Sequence, residues 1–206
     1  MSVDRGRLGR LLAIVFFVVL LAGAITRGFV LMPLPVQAGE MAPALFQGDT
    51  AIVVRTATPV RGDIIAFEHP QKKGVTAARR IVGVPGDTVA LKGQKVILNG
   101  AELPRTKLGP LTVGDKDQRT SNTFERWREE GPGRGWDILL DPRRRSPDFG
   151  PVEVKEGFFV LADSRNHGRD SREYGLVPAK NVKGVVRYLM SATPVKELGV
   201  RPSRIP

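Results

Sequence analysis

The sequence contains no cysteine, which excludes disulfide scaffolds, zinc fingers and thiol catalysis. Histidine is nearly as scarce. His69 and His167 stand alone, without the ligand spacing of a metal site, so neither a metal nor a cofactor is expected. Aromatic residues make up only 6%, whereas Gly and Pro number 23 and 16; that balance argues against a helix bundle and for a turn-rich β protein. Negative charge is also in short supply, with 21 Asp+Glu against 32 Lys+Arg and a net charge of +11. Such an excess suits a nucleic acid or an anionic membrane surface.

The N-terminus separates those two partners. Residues 11–26 (LLAIVFFVVLLAGAIT) are uncharged and follow Arg5, Arg7 and Arg10; beyond Arg27 the apolar character resumes to Met32. A bilayer core of about 30 Å takes about 20 helical residues. Residues 11–32 therefore read as one transmembrane helix and 1–10 as a basic leader kept in the cytoplasm. Everything after Met32 then lies outside the inner membrane. A cleavable signal peptide is the alternative, because Ala22-Gly23-Ala24 resembles a small-residue cleavage site. Both readings export the body, so membrane is the expected partner and nucleic acid is not.

The exported body alternates short apolar runs with Gly, Pro and Asp. Strands are expected at 50–55, 63–67, 80–84, 88–91 and 95–98, and again at 157–162 and 182–190. Pro85-Gly86-Asp87 is a turn, and Asn99-Gly100 is a hairpin signal. Residues 105–151 are polar, rich in Arg, Gly and Pro, and carry Trp127 and Trp136; they read as an inserted smaller region with weak strands around 136–140. The expected architecture is a mostly β domain of 33–104 and 152–192, with 105–151 inserted and 193–206 a loose tail.

Four segments, in order, resemble the sequence boxes of type I signal peptidases, membrane-anchored Ser/Lys proteases. Glu40-Met41-Ala42-Pro43-Ala44-Leu45 with Gly48-Asp49 resembles S-M-x-P-T-L…G-D. Arg61-Gly62-Asp63-Ile64-Ile65-Ala66-Phe67 resembles the R-G-D-hydrophobic-F box, and Arg79-Arg80-Ile81-Val82-Gly83-Val84-Pro85-Gly86-Asp87 resembles K-R-V-I-G-x-P-G-D. Residues 162–175 (ADSRNHGRDSREYG) resemble G-D-N-R-x-x-S-x-D-S-R-x-x-G. The resemblance implies a pseudo-barrel catalytic domain with a smaller inserted β region.

The same resemblance places the nucleophilic serine at Glu40 and the base lysine at Arg79. It places a serine that orients the base at Gly168, and an oxyanion-binding serine of some members at Ala38. Arginine stays protonated and cannot serve as the base, and glutamate is a poor nucleophile toward amides. The expectation is therefore a non-catalytic homologue that binds or assists exported signal-peptide or pilin-like segments. The alternatives are an active peptidase working through other groups and a structural partner of another membrane peptidase. Glu40 and Arg79 are expected to form an ion pair in the old cleft. Met41, Pro43 and Ser171 are expected to support it structurally, with Arg80, Asp170 and Arg172 binding one another and Asp163 pairing with Arg165. His167 is expected to face solvent, and Phe29 to Leu31 with Leu34 to Val36 to form an apolar rim against the membrane.

Overall fold

The computed structural model describes residues 5–114, 121–195, 198, 201 and 203–205. It opens with a helix, α1 (Arg5–Val30), that runs directly into strand β1 (Leu31–Pro35). Then follow β2 (Thr50–Val54), β3 (Ile64–Glu68), β4 (Thr76–Gly83), β5 (Thr88–Lys92), β6 (Lys95–Leu98), β7 (Ala101–Glu102), β8 (Arg105–Gly114), β9 (Ser121–Gly131), β10 (Arg134–Leu140), β11 (Phe149–Glu153) and β12 (Phe159–Leu161). A single helical turn, α2 (Ser171–Tyr174), precedes the long last strand β13 (Val182–Ser191).

The strands form a six-stranded sheet in the order β1-β2-β13-β3-β4-β12, a four-stranded sheet β11-β5-β6-β7 and a three-stranded sheet β10-β9-β8. The β6–β7 hairpin turns at Asn99-Gly100, where both residues have positive φ (52° and 84°), as a two-residue primed turn requires. Strand β4 begins at Thr76, four residues earlier than the apolar pattern indicates. Its first half, Thr-Ala-Ala-Arg, has no apolar alternation, yet it pairs residue by residue with β3 from Glu68↔Thr76 to Ile64↔Arg80. Main-chain pairing extends the strand where the side chains give no signal, and the extension carries Arg79.

Two expectations about the segments outside this frame change. Residues 105–151 contain four strands, three of them long, with 115–120 outside the described residues. Trp136, Ile138 and Leu140 of β10 are buried with Val82, Val89, Leu98 and Phe159 in one apolar cluster, so the polar composition conceals a strand that is part of the core. The tail is likewise not loose where it is described. Leu189 N–H donates to Ser203 O (2.7 Å), Ile205 N–H donates to Arg187 O (2.9 Å), and Ile205 is buried beside Met41 and Leu45.

The apolar N-terminal segment is helical, but Leu31 and Met32 belong to β1, not to a helix continuing through 32. Among the described residues no helix is long and apolar enough to cross a membrane, so the expected transmembrane span of 11–32 is not borne out. The apolar rim also changes: Phe29 is exposed, whereas Leu34 and Val36 pack against the core. Residues 1–4 of the expected leader lie outside the described residues.

Candidate active site

Glu40 sits in a short 3-10 turn, Gly39–Met41, between two extended alanines, Ala38 and Ala42. Met41, Ala42 and Leu45 are buried, which anchors the turn on the core side. Glu40 is left on the other side, its side chain 28% exposed. It faces a groove of about 700 Å³ walled by residues 32–38 on one side and by Thr76, Ala77 and Ala78 of β4 on the other. Ala38, His69, Arg79 and Arg169 also line it.

Arg79 reaches Glu40 from β4. Its Nη2 donates to Glu40 Oε2 at 2.5 Å, its Nε to Arg169 O at 2.6 Å and its Nη1 to Ala78 O at 2.6 Å. Glu40 Oε1 accepts from the Arg169 N–H at 3.2 Å. The expected ion pair is therefore present, and each carboxylate oxygen accepts one bond. A carboxylate has about four lone-pair sites, so Glu40 keeps acceptor capacity toward the groove. Gly168 lies close by: a Cβ there would stand 3.5 Å from Glu40 Cβ but would overlap the Ala162 methyl. A serine at that position does not fit unless Ala162 moves.

Positive charge dominates the groove wall. Burial, and then Lys72, Arg79 and Arg169, lower the pKa of His69, which keeps the imidazole neutral near pH 7. His69 packs edge-on against Tyr174, with centroids 4.6 Å apart. The Tyr174 hydroxyl is buried without a hydrogen-bond partner, and burial drives its pKa upward.

Asp170 and Arg172 pair as expected, but Arg80, Asp163 and Arg165 do not. Arg80 binds Asp163, not Asp170, through Nε (2.8 Å) and Nη2 (2.6 Å), and gives Nη1 to Gly62 O (2.7 Å). The register explains this: Arg80 lies opposite Leu161 across the β4–β12 pair, and Asp163 is two residues further along. Asp163 is thus taken, and Arg165 turns instead to Glu129 of β9 in a fully buried pair that also receives the Trp136 indole N–H (3.1 Å). Asp170 caps α2 and binds Arg172 (2.7 and 2.8 Å), while Asp170 and the Ser171 hydroxyl accept the Ala162 and Val160 N–H groups. Pro43 lines a separate cavity. His167 is exposed on its loop, as expected, and also bonds Asp141 Oδ2 at 3.0 Å and lies edge-on to Phe124.

Sequence reasoning missed Glu129, which sits in a run of charges that looks like a solvated face. It placed Asp49 in the first box but missed that it is fully buried and held by Arg201 through Nη1 (2.9 Å) and Nη2 (2.8 Å). Nothing in the local pattern marks either residue as buried.

The family model of the signal peptidases, peptidase S26, matches residues 8–191. The chain belongs to this family. It is 31% identical over 183 residues to a signal peptidase I of Bacillus licheniformis, covering 86% of this chain and 84% of that one. Similarity to signal peptidase I S of Bacillus subtilis (strain 168) is 30% over the same length, covering 86% and 85%. A signal peptidase I of Pseudomonas fluorescens is 26% identical over 221 residues, covering 91% and 74%. A crystal structure of a signal peptidase I from Enterococcus faecalis V583 is 25% identical and covers 63% of this chain and 97% of that one; its TM-score of 0.38 is too low to support an inference.

These relatives overturn the expectation that the chain is not an enzyme. Relatives over most of its length bear the name of a peptidase, and the family points to catalysis. Glutamate is a poor nucleophile toward amides, but nucleophilic attack is not its only possible role. A carboxylate can instead act as a general base toward water, which needs neither a hydroxyl nor a neutral amine.

Proposed function

We infer that this chain is an endopeptidase for exported precursors, in which Glu40 and Arg79 stand at the positions of the family's serine and lysine. The observation that supports it is the Glu40–Arg79 contact in an open groove, with a carboxylate oxygen still free to accept. A precursor segment laid extended along residues 34–38 would bring a peptide carbonyl over Glu40. Glu40 then takes a proton from a water, and the resulting hydroxide adds to the carbonyl carbon. The proton passes from Glu40 to the amide nitrogen as the C–N bond breaks, leaving a carboxylate and an amine. Arg79, always charged, holds the carboxylate in place and offsets the negative charge of the adduct.

The reading places the enzyme at the membrane. Side chains of residues 10–21 are exposed all around α1, Phe16 and Phe17 at 66% and 67%, and lipid is the solvent that would cover such a surface. The exported segment and the membrane are its partners.

The test is cleavage of a precursor bearing an Ala-x-Ala site by purified full-length chain in lipid. Glu40→Gln keeps the shape and removes the base, and should slow cleavage by about 100-fold or more. Wild-type cleavage that is absent, or that survives Glu40→Gln unchanged, overturns the reading; retention of an intact peptidase by an inactive wild type would replace it with a partner role.

A further inference from the structure

On the other side of the Glu40 turn lies a cavity of about 210 Å³ between the first box, β10 and the C-terminal segment. Its apolar surface comes from Trp136, Ile205 and, less fully buried, Ala44. Four guanidinium groups line it (Arg80, Arg128, Arg201 and Arg204) against one carboxylate, Asp137. Asp137 is already shared by Arg126 and Arg128. Arg80 and Arg201 are buried and committed to Asp163 and Asp49. Arg204 is exposed and has no acidic partner among the described residues.

We propose that this cavity binds an apolar carboxylate, its body against Trp136 and Ile205 and its charge against Arg204. Volume, polarity and charge support this choice together. An apolar cavity of roughly 150 Å³ holds a benzene ring, so 210 Å³ holds a ring with a short acid arm. Arg128 is answered by Asp137 and Glu130, so an uncharged ligand would leave Arg204 alone unanswered, and a cation would be repelled by it. A carboxylate fits the planar fork of arginine with two parallel bonds. The same chemistry is presented by a free small acid and by the C-terminal carboxylate of an apolar peptide.

Titration of the full-length chain in detergent micelles, followed by the Trp136 indole N–H resonance, tests the assignment. The probes are phenylacetate, its uncharged isostere phenylacetamide, and acetyl-alanyl-phenylalanine as a peptide carboxylate. Phenylacetate should bind about tenfold or more tighter than phenylacetamide, and Arg204→Gln should abolish that ratio while leaving the fold intact, because Arg204 is exposed. A tighter dipeptide than phenylacetate identifies peptide C-termini as the source, and the reverse identifies a free acid. Equal binding of acid and amide overturns the proposal, as does an acid preference that survives Arg204→Gln. So does the absence of any saturable shift up to roughly millimolar concentrations. None of these outcomes depends on cleavage at Glu40.

Discussion

An arginine side chain 7% exposed and a glutamate side chain 28% exposed meet at 2.5 Å between Arg79 and Glu40. Removing either partner strands the other, so Glu40→Ala and Arg79→Ala should each destabilise the fold, and the double change should cost less than the two single effects added together. The expected coupling in a double-mutant cycle of denaturant unfolding is about 0.5–3 kcal/mol; additive singles would show that the contact is energetically idle. Asp141 gives a pH-dependent case. Hydrogen bonds from Arg143, aided by His167 and opposed by burial, hold its carboxyl well below the usual range. A depressed carboxyl stabilises the fold above its unfolded value of about 3.9 and loses that contribution as pH falls below it. Thermal melts should therefore find Asp141→Asn less stable than wild type at pH 7, with the gap narrowing toward pH 2. An unchanged gap at pH 2 would assign the effect to packing. The Glu40–Arg79 contact was legible in the sequence because the resemblance puts these residues at two positions that touch in the family fold. The Glu129–Arg165 pair was not, because alternation cannot distinguish a charge on the buried face of β9 from its exposed neighbours.

Among the elements, the C-terminal segment has the clearest mechanical role. Arg201 bonds both oxygens of Asp49 and the Ala44 carbonyl, and it stacks over Phe46 at 4.6 Å, while Asp49 also accepts the Thr193 and Phe46 N–H groups. One carboxylate thus fastens the loop after the Glu40 turn to the end of the chain. With the two side chains 4% and 0% exposed, Arg201→Ala should cost about 3–5 kcal/mol. Arg201→Ala with Asp49→Ala should cost less than Asp49→Ala alone, measured as chemical unfolding midpoints. A change under about 0.5 kcal/mol would mean that the segment merely lies on the surface. The same limit on local reading applies to β10. Its Trp-x-Ile-x-Leu alternation signals a strand, but only its packing against β5 and β12 residues shows that it closes the core.

For the molecule as a whole, attachment to a membrane rests on α1. A helix with apolar side chains exposed on every face from Leu11 to Leu21 has no protein surface to cover it. The chain should therefore float with vesicles, and Val15→Asp with Val19→Asp should release it. Retention of that double variant would attribute attachment to the basic body. A reporter fused after Pro151 should be active only outside the cytoplasm.

Composition alone set the class, because many Gly and Pro with few aromatics cannot build a helix bundle. The family resemblance of the boxes implied that Glu40, Arg79 and Gly168 meet, and they do, although only Arg79 lies on a strand. The tertiary structure alone decided which arginine binds which carboxylate: Arg80 with Asp163, Arg165 with Glu129, Arg201 with Asp49. Guanidinium and carboxylate groups attract without regard to sequence distance, so the pairing follows register and burial. Partners 83, 36 and 152 residues apart become neighbours only when the sheets have closed.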